Sequence, residues 1–151
     1  MTEFEIQPMT LSIGSDHAGF TLKEHLRAWL LEHGYQVTDV GCFDLESVNY
    51  PDYGKSVATQ VSGGDVDRGI LVCGSGIGMS ITANRFTGIR ATLCHDVETS
   101  KLARQHNDSN LLVLGARVVP EGLAVKMLIT WLETEFEGGR HQGRLDLIDQ
   151  Q

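Results

Sequence analysis

Apolar and polar positions alternate along the chain in a regular order of short apolar runs and longer amphipathic stretches. The apolar runs predict strands over residues 10–15, 35–41, 69–73, 88–94 and 110–115. The stretches between them repeat apolar residues every three or four positions, which predicts helices over 19–34, 52–64, 77–86, 96–107 and 120–136, with a short terminal helix within 137–151. Because strands and helices alternate and the strands look apolar throughout, we predict an α/β fold, a three-layer Rossmann-like sandwich with a five-stranded parallel sheet.

Residues at the element ends support these boundaries. Gly34 follows the first helix, where a residue with left-handed backbone commonly ends a helix. Pro51 and Pro120 stand where the second and fifth helices begin, and Asp96 is a typical N-cap for the fourth. The chain has 151 residues, so we expect one domain, 10–151, after a leader of residues 1–9.

Charge and composition exclude several classes of function. The net charge is −8, from 12 basic and 20 acidic residues, which disfavours binding to nucleic acid through general charge. No apolar run approaches membrane-spanning length, so no membrane contact is expected. The three cysteines form no CxxC pair, which favours a reduced, cytoplasmic protein.

Polar and reactive side chains follow four of the predicted strands. In a parallel sheet with helices on both faces, ligands bind outside the carboxyl ends of the strands. We therefore expect the active site at this edge. The groups concerned are Ser15–Asp16–His17, Cys73–Gly74–Ser75–Gly76, His95–Asp96 and Gly115–Ala116–Arg117.

The third strand leads into a glycine loop, "CGSGIGM", at the start of a helix. Two of its glycines match the dinucleotide fingerprint, but Met79 stands where the third glycine belongs. Asp96 lies near a later strand end, as a ribose-binding acid would. A non-catalytic nucleotide-binding module therefore stays open as an alternative. Such loops also bind other anions, because free N–H groups point outward from a helix start.

Cys73 at the mouth of this loop suggests proton chemistry. The thiolate of a cysteine beside a helix N-terminus is stabilised by the helix dipole, and can act as a base or nucleophile. The loop N–H groups can hold an oxyanion that forms when a neighbouring carbon loses a proton. Together they predict proton abstraction next to a carbonyl. The alternatives are a buried structural cysteine, or a thiol redox site with Cys94 as its partner.

Further candidates lie towards the C-terminus. His106 and Asn107 end the fourth helix, where a histidine is often only a charge partner of the helix terminus. Arg140 and Arg144 would share one helix face and could clamp a phosphate. The preceding Gly138–Gly139 would let this segment leave the long helix and reach a neighbouring subunit. Cys94–His95–Asp96 alone is too little for a metal site.

Six motifs in order, "GSDHAGF", "NYPDYG", "GILVCGSGIGMSITANRFTGIRA", "ARQHNDSN", "LGARVV" and "EGGRHQGR", resemble type B ribose-5-phosphate isomerases. The wider family includes galactose-6-phosphate isomerase subunits. The resemblance covers residues 10 to about 145, nearly the whole chain.

The resemblance implies a cofactor-free and metal-free isomerase acting on a sugar phosphate. It implies Cys73 as the base that moves a proton between C1 and C2 through a cis-enediol, Ser75 as a proton carrier between the oxygens, and His106 as the ring opener. It also implies a homodimer with shared active sites, sometimes a dimer of dimers, in which the C-terminal arginines act across the interface. The implied substrate-binding residues are Asp16, His17, Gly74, Ser75, Gly76, Ile77, Gly78, Asn107, Arg117, Arg140 and Arg144.

The sequence departs from some family members at a position that can carry the catalytic base. It does not identify the sugar phosphate that is the substrate. Some relatives use a glutamate beyond the thiol position, but "GIGMSI" contains no acid, so Cys73 is the loop's one candidate. The resemblance allows ribose 5-phosphate, allose 6-phosphate, galactose 6-phosphate or an erythrulose phosphate. Residues 41–54 and Cys94–His95–Asp96 are expected to shape the sugar pocket.

Overall fold

The sheet holds five parallel strands, as the sequence predicts. A computed structural model describes residues 9–150 of the protein. The strands are β1 Thr10–Ser15, β2 Gln36–Gly41, β3 Arg68–Cys73, β4 Ala91–Leu93 and β5 Leu111–Gly115. The helices are α1 Phe20–Glu32, α2 Tyr50–Ser62, α3 Ile77–Ala83, α4 Val97–Asn107, α5 Glu121–Glu133 and α6 Arg140–Asp149. The order across the sheet is β2-β1-β3-β5-β4, with every neighbouring pair parallel.

Helices cover both faces of the sheet, so the three-layer prediction is confirmed. On one face α1, α4 and α5 pack on a core that includes Leu26, Met127 and Trp131, all fully buried. On the other face α2 and α3 pack on a second core that includes Val57 and Met79. No helix among residues 9–150 combines the length and apolar character needed to cross a bilayer.

Three elements differ from the prediction. β2 is an edge strand in which only Gly41 is buried, so the expectation that all strands are apolar throughout is wrong for it. β4 is only three residues long and also lies at an edge. α3 ends at Ala83 because the Asn84 side chain bonds the backbone of Ala91, donating to its carbonyl at 3.0 Å and accepting from its N–H at 2.9 Å.

Both ends of the described chain pack against the rest of the domain. The predicted leader lies outside the described residues except for Met9, which is half-buried and packs against the core. At the other end, Gly138 and Gly139 have φ of 67° and 55°, so they turn the chain away from α5 as expected. α6 nevertheless stays on its own domain, because it packs on α4 and buries Leu145.

The strand order places a topological switch point between β1 and β3. From β1 the chain moves outward to β2 and then returns to the other side of β1 as β3. The connections on the two sides of this point diverge, which opens a crevice at the carboxyl ends of the two strands. Cys73 ends β3 and Ser15 ends β1, so the predicted site residues that follow them lie at this crevice.

A buried ammonium group fixes α1 against the edge of the sheet. Lys23 is fully buried, and its Nζ lies 2.8 Å from both carboxylate oxygens of Asp39 and 2.9 Å from Glu24 Oε1. The Phe20 and Phe43 rings lie 5.4 and 5.5 Å from the same nitrogen. Arg27 bonds Glu24 and, with Lys23, lowers the pKa of that carboxyl to about 2.

We predict that Asp39→Asn destabilises the protein by about 3 kcal/mol, because it leaves a buried charge short of its main partner. Urea unfolding at pH 7 measures the effect. Asp65→Asn is the matched control, since Asp65 is exposed and its loss should cost about 0.5 kcal/mol or less. Equal unfolding midpoints for the two variants would show that the buried cluster adds nothing to stability.

Candidate active site

An open cleft of about 480 Å³ lies at the carboxyl ends of β1 and β3. It brings together residues from the first and third strand ends, the glycine loop and the turn after β5. Its lining residues are Asp16, His17, Ala18, Tyr50, Cys73, Gly74, Ser75, Ile77, Gly78, Ile81 and Arg117. The expectation that reactive groups collect at this edge of the sheet therefore holds for the residues after β1, β3 and β5.

The cysteine is held by the glycine loop itself. The Gly76 N–H donates to Cys73 Sγ at 3.2 Å, and the thiol is 4% exposed. This bond needs the left-handed backbone of Gly76, whose φ is 81°. A Cβ at this position would also lie 2.4 Å from Leu93. The N–H therefore points at the sulfur, the atom that would have to accept a proton if Cys73 acts as a base.

The rest of the loop presents several unused donors. The Ile77 N–H is taken by Ser75 Oγ at 3.2 Å. The N–H groups of Gly74, Ser75 and Gly78 donate to no acceptor among residues 9–150. The loop thus divides its donors between the sulfur of Cys73 and the open cleft, where an oxyanion could accept the others.

The turn after β5 is tied to the glycine loop. The Ala116 N–H donates to the Cys73 carbonyl at 2.8 Å, and the Arg117 N–H donates to the Gly74 carbonyl at 3.0 Å. These two bonds fix the backbone of an exposed arginine at the cleft. A guanidinium at this place can bind a phosphate or carboxylate through paired N–H donors.

The residues after β1 complete this wall of the cleft. Asp16 is 7% exposed and accepts from the Gly19 N–H at 2.9 Å, just before α1, so its carboxylate also supports the turn that leads into the helix. His17 Nδ1 accepts from the Val48 N–H at 3.1 Å. A neutral His17 therefore carries its proton on Nε2 and can donate to an anion.

Tyr50 lies within residues 41–54, which are expected to shape the sugar pocket, and it lines the cleft. The sequence does not single it out within that range, because a tyrosine at a helix start carries no chemical signal of its own. The structure shows why Gly78 is required beside it: a Cβ at Gly78 would lie 2.5 Å from the Tyr50 ring. Ile81 also lines the cleft and is 56% exposed, which its place on an amphipathic helix did not predict.

The remaining predicted residues lie elsewhere on the chain. His106 and Asn107 end α4, and Arg140 and Arg144 lie on α6, which packs on α4. None of the four lines the cleft. α4 starts after the carboxyl end of β4 and runs back for about 14 Å before it reaches His106. His106 therefore sits near the amino ends of the strands, at the edge opposite Cys73 of the same chain.

Two side chains flank His106. Its Nε2 lies 3.6 Å from Glu137 Oε1, and its ring stacks on His141 with centroids 4.3 Å apart and planes 15° apart. Ligand atoms of the three residues lie within 4.8 Å of one another. Nearly parallel stacked rings, however, cannot both direct in-plane lone pairs at one ion, so this cluster as arranged is not a metal site.

Cys94 is a poor redox partner for Cys73. All three cysteines are unpaired, and burial raises the pKa of the Cys94 thiol to about 11. A thiol that stays protonated reacts slowly in disulfide exchange. Neither His95 nor Asp96 lines the cleft, and Asp96 forms a capping box with Thr99 at the start of α4, as its predicted N-cap role requires.

Comparison with known proteins places this arrangement in a family. The model of the family described as Ribose/Galactose Isomerase matches residues 11–148. "Ribose-5-phosphate isomerase B" of Escherichia coli (strain K12) is 48% identical over 138 residues, which are 91% of this chain and 93% of that protein. "D-erythrulose-4-phosphate isomerase" of Pectobacterium atrosepticum is 39% identical, covering 93% of each chain.

Solved structures agree with the sequence comparison. The crystal structure of ribose-5-phosphate isomerase B from Mycoplasma genitalium with bound ribulose-5-phosphate superposes with a TM-score of 0.90, at 39% identity, covering 93% of each chain. The range matched by the family model, residues 11–148, includes all the cleft residues and nearly all of α4 to α6. The chain therefore belongs to the ribose/galactose isomerase family, and it is an isomerase of sugar phosphates.

Proposed function

We propose that this protein interconverts ribose 5-phosphate and ribulose 5-phosphate through a cis-enediol, without a cofactor or a metal. The observation that carries the proposal is the Gly76 N–H bound to Cys73 Sγ, beside unused loop N–H groups in an open cleft. This arrangement supports the proposal because aldose–ketose exchange needs a base next to donors for an oxyanion. The names of the Escherichia coli and Mycoplasma genitalium relatives support the five-carbon substrate.

The proposed chemistry moves one proton between neighbouring carbons. The Cys73 thiolate removes the proton on C2 of the open aldose, the C1–C2 double bond forms, and O1 takes up negative charge. The loop N–H groups stabilise that charge, and the Ser75 hydroxyl carries a proton from O2 to O1. The Cys73 thiol then returns its proton to C1 as the C2 carbonyl forms. No atom is gained or lost, and no electron acceptor is needed.

The remaining groups bind and open the sugar. Asp16 and Asn107 orient hydroxyl groups, and His106 opens the furanose ring. In that step His106 takes the O1 proton while the C1–O4 bond breaks, and gives it to O4. The phosphate is held by donors from several elements: His17, Arg117, Arg140 and Arg144.

These assignments require two chains. His106 cannot reach Cys73 of its own chain, because parallel strands and returning helices set them at opposite edges of the sheet. We infer a homodimer in which the α4–α6 end of one subunit covers the cleft of the other. Exposed Ile77 and Ile81 at the cleft, and exposed Leu147 and Ile148 on α6, supply apolar surface for such a contact.

A second candidate substrate is a four-carbon sugar phosphate, favoured by the similarity to the Pectobacterium atrosepticum enzyme. A panel of pentose, hexose and tetrose phosphates, followed by NMR of aldose–ketose exchange, separates the candidates. We expect the highest kcat/KM with ribose 5-phosphate. A higher value with a tetrose or hexose phosphate would replace the substrate and leave the chemistry intact. No exchange with any of them would contradict the proposed function.

We predict that Cys73→Ala reduces turnover by at least about a thousandfold while ligand affinity changes little, because the thiolate acts only in the chemical step. Steady-state kinetics and calorimetry with a non-reacting sugar phosphate measure the two quantities. Cys42→Ala is the matched control, since Cys42 is also buried and does not line the cleft. Near-wild-type turnover of Cys73→Ala would rule out the thiol as base.

We also predict that mixing the Cys73→Ala and His106→Asn proteins, each defective with ribose 5-phosphate, restores turnover of that substrate. A mixed dimer then holds one site with both defects and one intact site, so free exchange should return about a quarter of wild-type activity. Subunit exchange is confirmed by mass spectrometry of differently tagged chains. Confirmed exchange with no recovered activity would show that both residues serve the same site from one chain.

A further inference from the structure

The ring of His106 is enclosed by two side chains that the reaction described above does not use. Glu137 lies at one ring nitrogen, with Oε1 3.6 Å from Nε2. His141 covers one ring face, with its own ring nearly parallel at 4.3 Å. His106 is only partly buried, so without these neighbours its ring could rotate freely towards solvent.

We propose that Glu137 is a positioning residue for His106: its carboxylate fixes the ring's orientation and stabilises the imidazolium that forms during ring opening. The inference rests on the proposed role of His106. At 3.6 Å the two groups do not form a hydrogen bond, but opposite charges at this distance attract strongly when a covering subunit excludes water. A base that becomes cationic as it takes the O1 proton gains from that attraction.

The backbone around Glu137 is anchored to the helix that carries His106. The Glu137 N–H donates to the carbonyl of Gln105 at 3.0 Å, one residue before the histidine. Arg104, which is 5% exposed, donates from Nε to the Thr134 carbonyl at 3.1 Å. The carboxylate and the imidazole are therefore held on one rigid unit, and their separation does not depend on a mobile loop.

His141 supports the ring without competing for the carboxylate. Partial desolvation, together with the positive charges of His106 and Arg140, holds the pKa of His141 below its ordinary value. A neutral His141 can stack on the ring of His106 in either charge state. The turn at Gly138–Gly139, with left-handed backbone at both residues, brings His141 back over His106.

This arrangement also links ring opening to phosphate binding. Besides desolvation, His106 and the flanking Arg140 and Arg144 on α6 lower the pKa of His141, whereas the carboxylate of Glu137 acts in the opposite direction. Without Glu137, those arginines would disfavour a second positive charge on His106. The carboxylate therefore lets the same unit bind a phosphate and use an imidazole as a base.

The test is Glu137→Gln in the full-length protein, with Glu135→Gln as control, because Glu135 is an exposed acid on the same segment. We expect kcat with ribose 5-phosphate to fall about tenfold, with little change in KM. We expect a smaller fall in kcat with ribulose 5-phosphate, which cannot close a furanose ring. Turnover numbers are compared, since the ratio of kcat/KM values in the two directions is fixed by the equilibrium constant.

Two further measurements separate positioning from a structural effect. Glu137→Gln should add almost nothing in a His106→Asn background, because it acts through the histidine. Nitrogen-15 NMR of the His106 ring should show a changed signal in Glu137→Gln and not in Glu135→Gln. Additive kinetic effects, or an unchanged His106 signal, would overturn the proposal.

The kinetics of His106→Asn distinguish a failure of the positioning role of Glu137 from a failure of the proposed function. If His106→Asn is defective and Glu137→Gln matches wild type, the positioning role fails and the proposed function stands. If His106→Asn turns over ribose 5-phosphate at the wild-type rate, both the ring-opening role and the positioning role fall together.

Discussion

The direction of the strands determines where every functional group can lie. All five strands are parallel, so each carboxyl end meets the same edge, and each helix must carry the chain back to the opposite edge. Cys73 and Arg117 follow strand ends and meet at one edge, whereas His106 closes a returning helix and lies at the other. A chain with this topology can assemble a thiol, an anion loop and a phosphate donor by itself. It cannot bring a residue at the end of α4 to them, so under the proposed residue roles a complete site would need a second subunit.

In the proposed mechanism, the N–H groups of the glycine loop serve two acceptors, the sulfur of Cys73 and an oxyanion of the substrate. If every N–H pointed into the cleft, the thiolate of Cys73 would lack a local donor. If every N–H pointed at sulfur, no oxyanion could be held. The left-handed backbone at Gly76 resolves this conflict, because it turns one N–H towards Sγ while others stay available. Ser75 takes up the N–H of Ile77 and keeps its hydroxyl beside the cleft.

The fold class was predictable because it depends on the periodicity of apolar residues. The sheet edge that carries the cleft was predictable because it depends on the direction of the strands. The Asp96 cap and the end of α1 near Gly34 were equally predictable, since each is decided by local backbone chemistry. The edge position of β2 was not, because the order of strands depends on tertiary packing. The sequence could not single out Tyr50 within residues 41–54 for the same reason: its ring lies beside Gly78, 28 positions along, where the absence of a side chain leaves room for it.

The separation between the cleft and the α4–α6 end also affects which sugars the proposed site can accept. In the proposed mechanism, the cleft supplies the groups that act on C1 and C2, which all aldose phosphates share. Under the proposed assembly, the partner's α4–α6 end supplies the ring opener and two of the phosphate donors on one rigid unit. The distance between the reacting carbons and the phosphate is then set by how the two subunits dock, rather than by any single loop. A substrate one carbon longer or shorter would place its phosphate off the arginines when its C2 lies at Cys73. Substrate length in this family would accordingly change with the dimer contact and the length of the α6 segment, while the thiol loop stays the same.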